Sequence, residues 1–284
     1  MAAGDGVAIL IAAMGIDAEW DAGAYHRVAD PQFEWGRRLL ATLSLRGDET
    51  VIDAGCGTGR LTRLLLERLT SGRMIAIDLS ERMLESAREN LEPDFHGRVE
   101  YVRVDLLDLA QRDVADLVFS TATFHWLPDH ARLFRNLVAA LRPGGRLTAQ
   151  FGGKGNLARA RSRAEGILAE PSFRPFFEGW SGPWHYPDAQ VTAERLRQAG
   201  FQDVRTRLFP EPTTFPDADA FRQFITAVVF RVHLQRIVDP RLREEFLDRC
   251  VAAAAGDDPP YTLDYWRLNA EGRKPERPRE GAPA

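Results

Sequence analysis

The chain is poor in cysteine and has no long basic run, no apolar run of membrane-spanning length and no internal repeat. Each absence excludes something. Its two cysteines, Cys56 and Cys250, lie far apart in 284 residues with neither metal-ligand spacing nor the makings of a disulfide framework. That argues against a cysteine-held zinc module and against a small stapled secreted fold, so no metal is expected and reduced thiols fit a cytoplasmic protein. A net charge of −4 without a basic stretch argues against nucleic acid or an anionic membrane as the main partner, and clusters such as Arg159 to Arg163 read as a solvated helix face. The apolar run Val7 to Ile16 is too short to cross a bilayer, and neither a positively charged segment before it nor a clear cleavage site after it marks a leader. It reads as a cover over a site mouth or as a disordered start. The length allows one large domain with a sizeable core and a lid, as a monomer or homodimer.

What the chain does have begins at Thr50 to Arg60, TVIDAGCGTGR, followed by LTRLLLERL: a short apolar strand, a loop with Gly55, Gly57 and Gly59 in alternation, and a helix start. Glycines there let the backbone turn tightly and approach a ligand closely. In the dinucleotide fingerprint the third glycine falls three residues after the second, and a pyrophosphate sits on the helix N-terminus. Here it comes one residue early, and Asp53 stands where a pyrophosphate would be repelled. A ligand bearing a positive charge, such as the amino group of a methionine-derived cofactor, is favoured. Arg73 to Ser80, RMIAIDLS, then places Asp78 about twenty positions beyond the loop, where a carboxylate grips ribose hydroxyls. Val99 to Leu109, VEYVRVDLLDL, ends a third strand at Asp105, which can accept a hydrogen bond from an exocyclic adenine amine while Leu106 packs on the ring. Acidic residues at strand ends often serve only as helix caps; three in succession point to a nucleoside.

Strands near residues 50–54, 73–78, 99–104, 115–120 and 145–151 alternate with helical patterns near 34–44, 59–70, 80–91 and 129–141. That alternation predicts an α/β fold: a doubly wound, mainly parallel sheet with helices on both faces. Pro143, Gly144 and Gly145 are expected to stop the last of these helices and turn the chain into the next strand. Further strands at 202–209 and 261–268 bring the sheet to seven, the last of them antiparallel, and helices are expected at 157–169, 191–199, 217–238 and 241–255. Residues 171–189 carry too much Pro, Gly and aromatic character for regular structure and read as an aromatic-rich lid.

This arrangement resembles the class I S-adenosylmethionine-dependent methyltransferases, through VIDAGCGTGR, IAIDLS, VRVDLLDL, ADLVFSTATFHWL and LRPGGRL, over roughly residues 50–151 of the chain. The resemblance implies S-adenosyl-L-methionine as cofactor, S-adenosyl-L-homocysteine as product and a Rossmann-like sheet. Carried over by position, it places Asp53, Gly55, Cys56, Gly57 and Gly59 at the methionine end, Asp78 on the ribose, Leu79 and Met83 on the adenine faces, Asp105 and Leu106 at the adenine edge, and Ser120 and Thr121 beside the sulfonium. The organisation expected is a helical cover over 1–45, the cofactor-binding core over 46–152, a lid over 153–190, completion of the sheet with a helical cap over 191–270 and a disordered tail over 271–284.

The acceptor depends on Phe124-His125-Trp126 and on the segment Glu19 to Leu40, where Tyr25 and Gln32 lie seven apart and so share one face if helical. The W-D-x-x-x-Y segment, TATFHWLPDH and REEFLDRCVAAAA…YTLDYWRL are similar to the small-molecule carboxyl methyltransferases of the trans-aconitate type, and the Tyr-x6-Gln spacing to juvenile hormone acid methyltransferases. The resemblance implies that Gln32 and Trp126 hold a substrate carboxylate; the chain departs from the trans-aconitate type at His125, where those enzymes carry glutamine. A carboxylic acid, which ordinarily titrates near pH ~4, is ionised at neutral pH and needs no base. A phenol, amine or carbon acid would need one, with His125 first and His185 second. The expectation is O-methylation of a small carboxylic acid, apolar in view of the aromatic lid; Arg174, Arg231 and Arg236 could bind further carboxylates of a polar substrate, though lone arginines are more often surface residues. The alternatives are O-, N- or C-methylation of another metabolite with His125 as base, a malonyl-thioester methyltransferase of the biotin-synthesis type, or a non-catalytic cofactor-binding protein. An NAD-linked dehydrogenase on the same fold is disfavoured by the glycine spacing.

Overall fold

A computed structural model describes Trp20, Gly23 and residues 30–277. Its elements are α1 (Asp30–Ala41), β1 (Thr50–Ala54), α2 (Arg60–Arg68), β2 (Arg73–Asp78), α3 (Glu81–Phe95), β3 (Val99–Arg103), β4 (Ala115–Thr121), α4 (His130–Ala140), β5 (Leu141–Gly152) and α5 (Ala158–Leu168). The chain goes on through α6 (Ala189–Gln198), β6 (Gln202–Pro210), β7 (Thr213–Thr214), α7 (Ala218–Phe224), a π-helical turn (Ile225–Val229), α8 (Arg231–Arg236), α9 (Pro240–Ala255), β8 (Thr262–Leu263) and β9 (Trp266–Arg273).

The main sheet has seven strands in the order β3-β2-β1-β4-β5-β9-β6. Six of them run in one direction, and β9 lies antiparallel between β5 and β6. Strand residues alternate between two cores. Ile52, Ile75 and Val118 pack with α4 and α6, whereas Val51, Met74 and Leu117 pack with α1, α2 and α3. A sheet covered on both faces explains why its strands read as near-continuous apolar runs. Side-chain caps set several helix starts: Ser80 Oγ accepts from Met83 N at 3.2 Å, Asp129 Oδ1 from Arg132 N at 2.9 Å and Asp188 Oδ1 from Gln190 N at 2.8 Å. The order of strands reverses between β1 and β4. Their carboxyl ends open there into the crevice at which doubly wound sheets bind ligands.

Three expectations change. Leu141 to Gly145 do not form a turn ahead of a strand: β5 starts at Leu141, pairs it with Ala115 and next pairs Arg146 with Leu117. The Pro-Gly-Gly run is thus absorbed as a bulge, with Gly144 at φ +78°. The chain also remains ordered beyond residue 270. Glu271 to Arg273 complete β9 between β5 and β6, and Lys274 reaches Asp113 at 2.7 Å, because partner strands take up backbone groups that composition alone leaves unassigned. Residues 278–284 lie outside the described residues. Finally, the segment read as a separate lid shares one core with the later helices, Leu157, Ile167 and Phe173 packing with Phe224, Phe230 and Phe246. Among the described residues no helix is long and apolar enough to cross a membrane, and no cluster of His, Cys, Asp or Glu could hold a metal. Both cysteines are buried and free.

Candidate active site

Three hollows open at the carboxyl ends of β1 and β4, and Ala122 lines all of them. The widest is bounded by Gly55, Gly57, Asp78, Met83, Asp105 and Trp126, among others. A second, beside Asp53, Cys56, Thr58 and Arg60, shares Gly55, Gly57 and Thr121 with the first. The third lies behind Trp126 and includes Gln32, His125, Asn156, Tyr186 and Arg267. Ala122 stands just past β4 at φ +54°, a left-handed conformation that costs an L-residue roughly 1–2 kcal/mol. Its N–H donates to Gln150 O at 2.8 Å, so pairing with β5 holds the bend.

The glycine loop is fixed from beneath. Gly55 and Cys56 donate to Ile77 O at 2.8 and 2.9 Å, and Gly57 donates to Asp78 Oδ2 at 2.9 Å. A Cβ on Gly55, at φ +83°, would lie 2.1 Å from Thr123 Oγ1, so loop and β4 turn are in contact. Gly57, at φ +54°, has no protein atom within 4 Å of a Cβ placed on it and lines two hollows. Room left beside such a backbone suits a bound ligand. Gly59 has another task. A Cβ there would meet Leu91 and Ala87 of α3 at 3.1 and 3.2 Å, so this glycine lets α2 start against α3, and it does not line any of the three hollows.

The three strand-end aspartates differ in environment. Asp53 is buried, with Oδ2 accepting from Thr62 Oγ1 at 2.6 Å; burial pushes its carboxyl up to about 7, the Thr62 bond opposes this and nearby Asp78 adds to it. Asp78 lines the widest hollow and accepts from Gly57 N through one carboxylate oxygen and from Ser80 N, at 3.0 Å, through the other. Each oxygen carries two lone pairs, so one carboxylate can serve the loop and a ligand together. Asp105 Oδ1 accepts from Leu107 N at 2.8 Å, while its buried Oδ2 has no hydrogen-bond partner among the described residues. Burial raises that carboxyl above its ordinary value, against the effect of the Leu107 bond. A buried, unsatisfied acceptor in the cleft wall fits an exocyclic amine. Leu79, Met83 and Leu106 supply apolar walls beside it, and Thr121 lines the junction. Cys56 faces the second hollow, its thiol pushed well up by burial and by Asp78 and Asp53, and is thus a packed, unreactive group. Ser120 lines none of the hollows: it points to the opposite side of β4 from Thr121 and donates to Ala54 O at 2.7 Å.

His125 and Trp126 sit on a single 3-10 turn, Phe124–Trp126, which brings them to the third hollow. Gly152 N donates to His125 Nδ1 at 3.4 Å, so the ring proton belongs on Nε2. Burial, then the charges of Arg267 and His130, holds the imidazole well below its usual pKa. A neutral ring with Nδ1 engaged is a donor through Nε2, and a poor base. His185 is not in any of the hollows. Its backbone N donates to His125 O at 2.8 Å and its Nε2 accepts from Arg195 at 3.0 Å, so it fastens the lid to the Phe124–Trp126 turn. Gln32, from α1, lines the second and third hollows, and its buried Oε1 has no hydrogen-bond partner among the described residues. Tyr25 lies outside the described residues.

Asn156, Tyr265 and Arg267 line the third hollow without having been singled out from the sequence, whereas Trp20 belongs to the W-D-x-x-x-Y segment and Arg231 to the arginines offered as carboxylate ligands. Trp20 stacks edge-on to Trp126 with ring centroids 5.6 Å apart, and Arg231 lies 4.1 Å above the Trp20 ring. Asn156, Tyr265 and Arg267 come from the β5–α5 turn and the final strand region. Arg267 had a signal of its own, a charged residue between Trp266 and Leu268 in a strand otherwise fit for burial.

A methyltransferase-domain family model matches residues 51–145. The chain is 30% identical over 256 residues to trans-aconitate 2-methyltransferase of Methylobacterium radiotolerans, covering 86% of this chain and 92% of that one. It is 42% identical to the Azoarcus sp. enzyme of the same name over 132 residues, and that match spans 46% of this chain and only half, 50%, of the relative. Among solved structures, phosphoethanolamine N-methyltransferase 2 of Haemonchus contortus, determined with S-adenosyl-L-methionine, shares the fold at a TM-score of 0.59 and 17% identity over 90% of this chain and 57% of that one. The YcgJ protein of Bacillus subtilis does so at 0.58 and 15%, over 86% and 99%. Fold, cleft and relatives together define an S-adenosylmethionine-dependent methyltransferase. Within that class, the chain belongs to the trans-aconitate 2-methyltransferase family.

Proposed function

We propose that this enzyme transfers a methyl group from S-adenosyl-L-methionine to a carboxylate oxygen of a small acid of the trans-aconitate kind. The observation that carries the reading is the junction at Ala122, where two hollows suited to the halves of the cofactor meet a third lined by Trp126, Gln32 and neutral His125. Asp105 and Leu106 would hold the adenine, Asp78 the ribose, Gly55 and Gly57 the chain between, and Asp53 the end bearing the amino group. When bound, the cofactor would supply an electrophilic methyl on sulfur for the acceptor oxygen, with the carbon–sulfur bonding pair kept by the sulfur.

No proton has to move when the acceptor is an ionised acid, and this suits a site whose histidine is a donor. Trp126 and the Gln32 amide are neutral donors placed to orient the reacting carboxylate without the deep ground-state well that an adjacent cation would impose. Orientation of this kind can supply ~7 to 11 kcal/mol of the barrier. Trp20 and Trp184, beside Trp126, wall the junction and exclude water. The test is incubation with labelled cofactor and a panel of carboxylic acids, phenols and amines. A base-labile labelled ester supports the reading, and label confined to amines or phenols refutes it. Gln32→Ala and Trp126→Phe should each lower kcat/KM for the acid by about tenfold or more, the loss of one or two hydrogen bonds, and should weaken binding of S-adenosyl-L-homocysteine by clearly less, although Trp126 also bounds the widest hollow and Gln32 the second.

A further inference from the structure

We propose that Arg267 is the anion anchor of the acceptor pocket, gripping a second carboxylate of the substrate, one that is not methylated. The proposal rests on the carboxyl-methylation reading above and adds the side chain, in the third hollow, that holds the carboxylate left unmethylated.

Arg267 sits on β9 directly across from Gly152 of β5, with its side chain buried at 2% exposure and lining the hollow. Its guanidinium lies 4.6 Å from the centre of the Trp35 ring, a cation–π contact that holds the charge beside the hollow. Gly152 is also the residue that donates to His125, and a Cβ on it would lie 2.6 Å from the Tyr186 ring. Arg267, His125 and Tyr186 therefore meet around one stretch of backbone. The field of the guanidinium reaches both neighbours, helping to keep His125 uncharged and acting to lower the Tyr186 phenol against its burial.

The division of labour follows from charge. A cation gripping the reacting carboxylate would stabilise the ionised ground state more than the charge-dispersed transition state, so the donors at that position are neutral. A cation gripping a remote carboxylate binds substrate and transition state alike and lends its binding energy to orientation. Arginine suits this second place, since its planar fork matches a carboxylate in two parallel hydrogen bonds. An aromatic hollow with one buried arginine fits a short chain bearing an anion at each end, in place of the purely apolar acid that the lid composition suggests.

The protein saturated with S-adenosyl-L-homocysteine is titrated by calorimetry with propane-1,2,3-tricarboxylate, with its mono-amide analogues and with butanoate. Wild type should bind the tricarboxylate, and the amide replacing the gripped carboxylate should bind roughly ten- to a hundredfold more weakly. Arg267→Met should weaken the tricarboxylate by the same factor and leave butanoate and the homocysteine product unchanged; Arg267→Lys should fall between. In turnover, Arg267→Met should raise KM for the polycarboxylate far more than it lowers kcat. Equal binding of the tricarboxylate and all of its amides by wild type would overturn the proposal, and that result does not depend on a variant folding. So would an Arg267→Met protein that keeps product binding and the wild-type KM. If the labelled-acceptor panel yields no ester at all, the carboxyl reading fails first and this one with it; ester formation with an indifferent Arg267 removes only the anchor.

Discussion

With the cofactor's amino end against it, as proposed, Asp53 should make cofactor binding depend on pH. Its carboxyl is buried, held by one hydrogen bond from Thr62, and raised to about 7 from an ordinary value of 3.8. The native state therefore retains a proton that the unfolded chain gives up. The stabilisation from holding it is complete below about pH 4, fades as pH rises and is gone above about pH 7, a swing of ~4 kcal/mol at 1.36 kcal/mol per pH unit. A ligand ammonium beside Asp53 reverses the preference, because it pairs with the ionised form. Binding must then expel the proton, and the apparent Kd for S-adenosyl-L-homocysteine should rise about tenfold from pH 8 to pH 6, with a limiting slope of one decade per unit below about 7. Calorimetry in two buffers of different ionisation enthalpy should count close to one proton released at pH 6 and about a tenth of one at pH 8. Asp53→Asn should bind more weakly at pH 8 and lose the pH dependence; Thr62→Val, which removes the one bond favouring the carboxylate, should move the limb to higher pH. A Kd that is flat from pH 5.5 to 8 with no proton release would refute the placement of the amino end against Asp53.

Two further outcomes follow from the junction and from the histidine. Ala122→Gly should leave stability within about 1 kcal/mol, since relief at φ +54° offsets the extra freedom of glycine, and should keep turnover near wild type; Ala122→Val, β-branched at a left-handed position between three hollows, should cut turnover at least tenfold, and thermal melts with initial rates check both. At saturating cofactor the rate with an ionised acid should be level from pH 6 to 8.5, because His125 stays neutral throughout, and His125→Gln should stay within about tenfold of wild type; a limb near pH 6.5 that disappears in His125→Gln would mean that the imidazole acts as a base.

The part of the cleft walled by strand ends was readable because it is local. Asp53, Gly55, Gly57, Asp78 and Asp105 each sit at or just after a strand end, and the doubly wound topology brings consecutive strand ends together. Where reading by position failed, side-chain direction was the cause. Ser120 and Thr121 are neighbours in sequence on opposite faces of β4, and only Thr121 meets the cleft. Gly59 satisfies helix packing rather than a ligand, a distinction that requires knowing how near α3 stands. The acceptor pocket was much less legible. It takes Gln32 from α1, Trp126 from the turn after β4, Asn156 from the turn after β5, Tyr186 from the lid and Arg267 from β9, and no spacing rule connects residues so far apart. The lid's rings were recognised as a group, but His185 in their midst turned out to be a fastening: its bond to Arg195 and its contact with the Phe124–Trp126 turn depend on partners that sequence does not pair.

Strand β9 comes last in the chain although it lies inside the sheet, between β5 and β6. The crevice between β1 and β4 and the strands beside it are all encoded before residue 153, with β5 then an open edge and β6 without a neighbour, whereas Arg231 and Val232, which wall the widest hollow, come later. Both gaps close in one step when residues 266–273 arrive, and the same step delivers Arg267. A chain ending short of Trp266 would thus lack one wall of the third hollow and leave β5 and β6 without the strand that joins them.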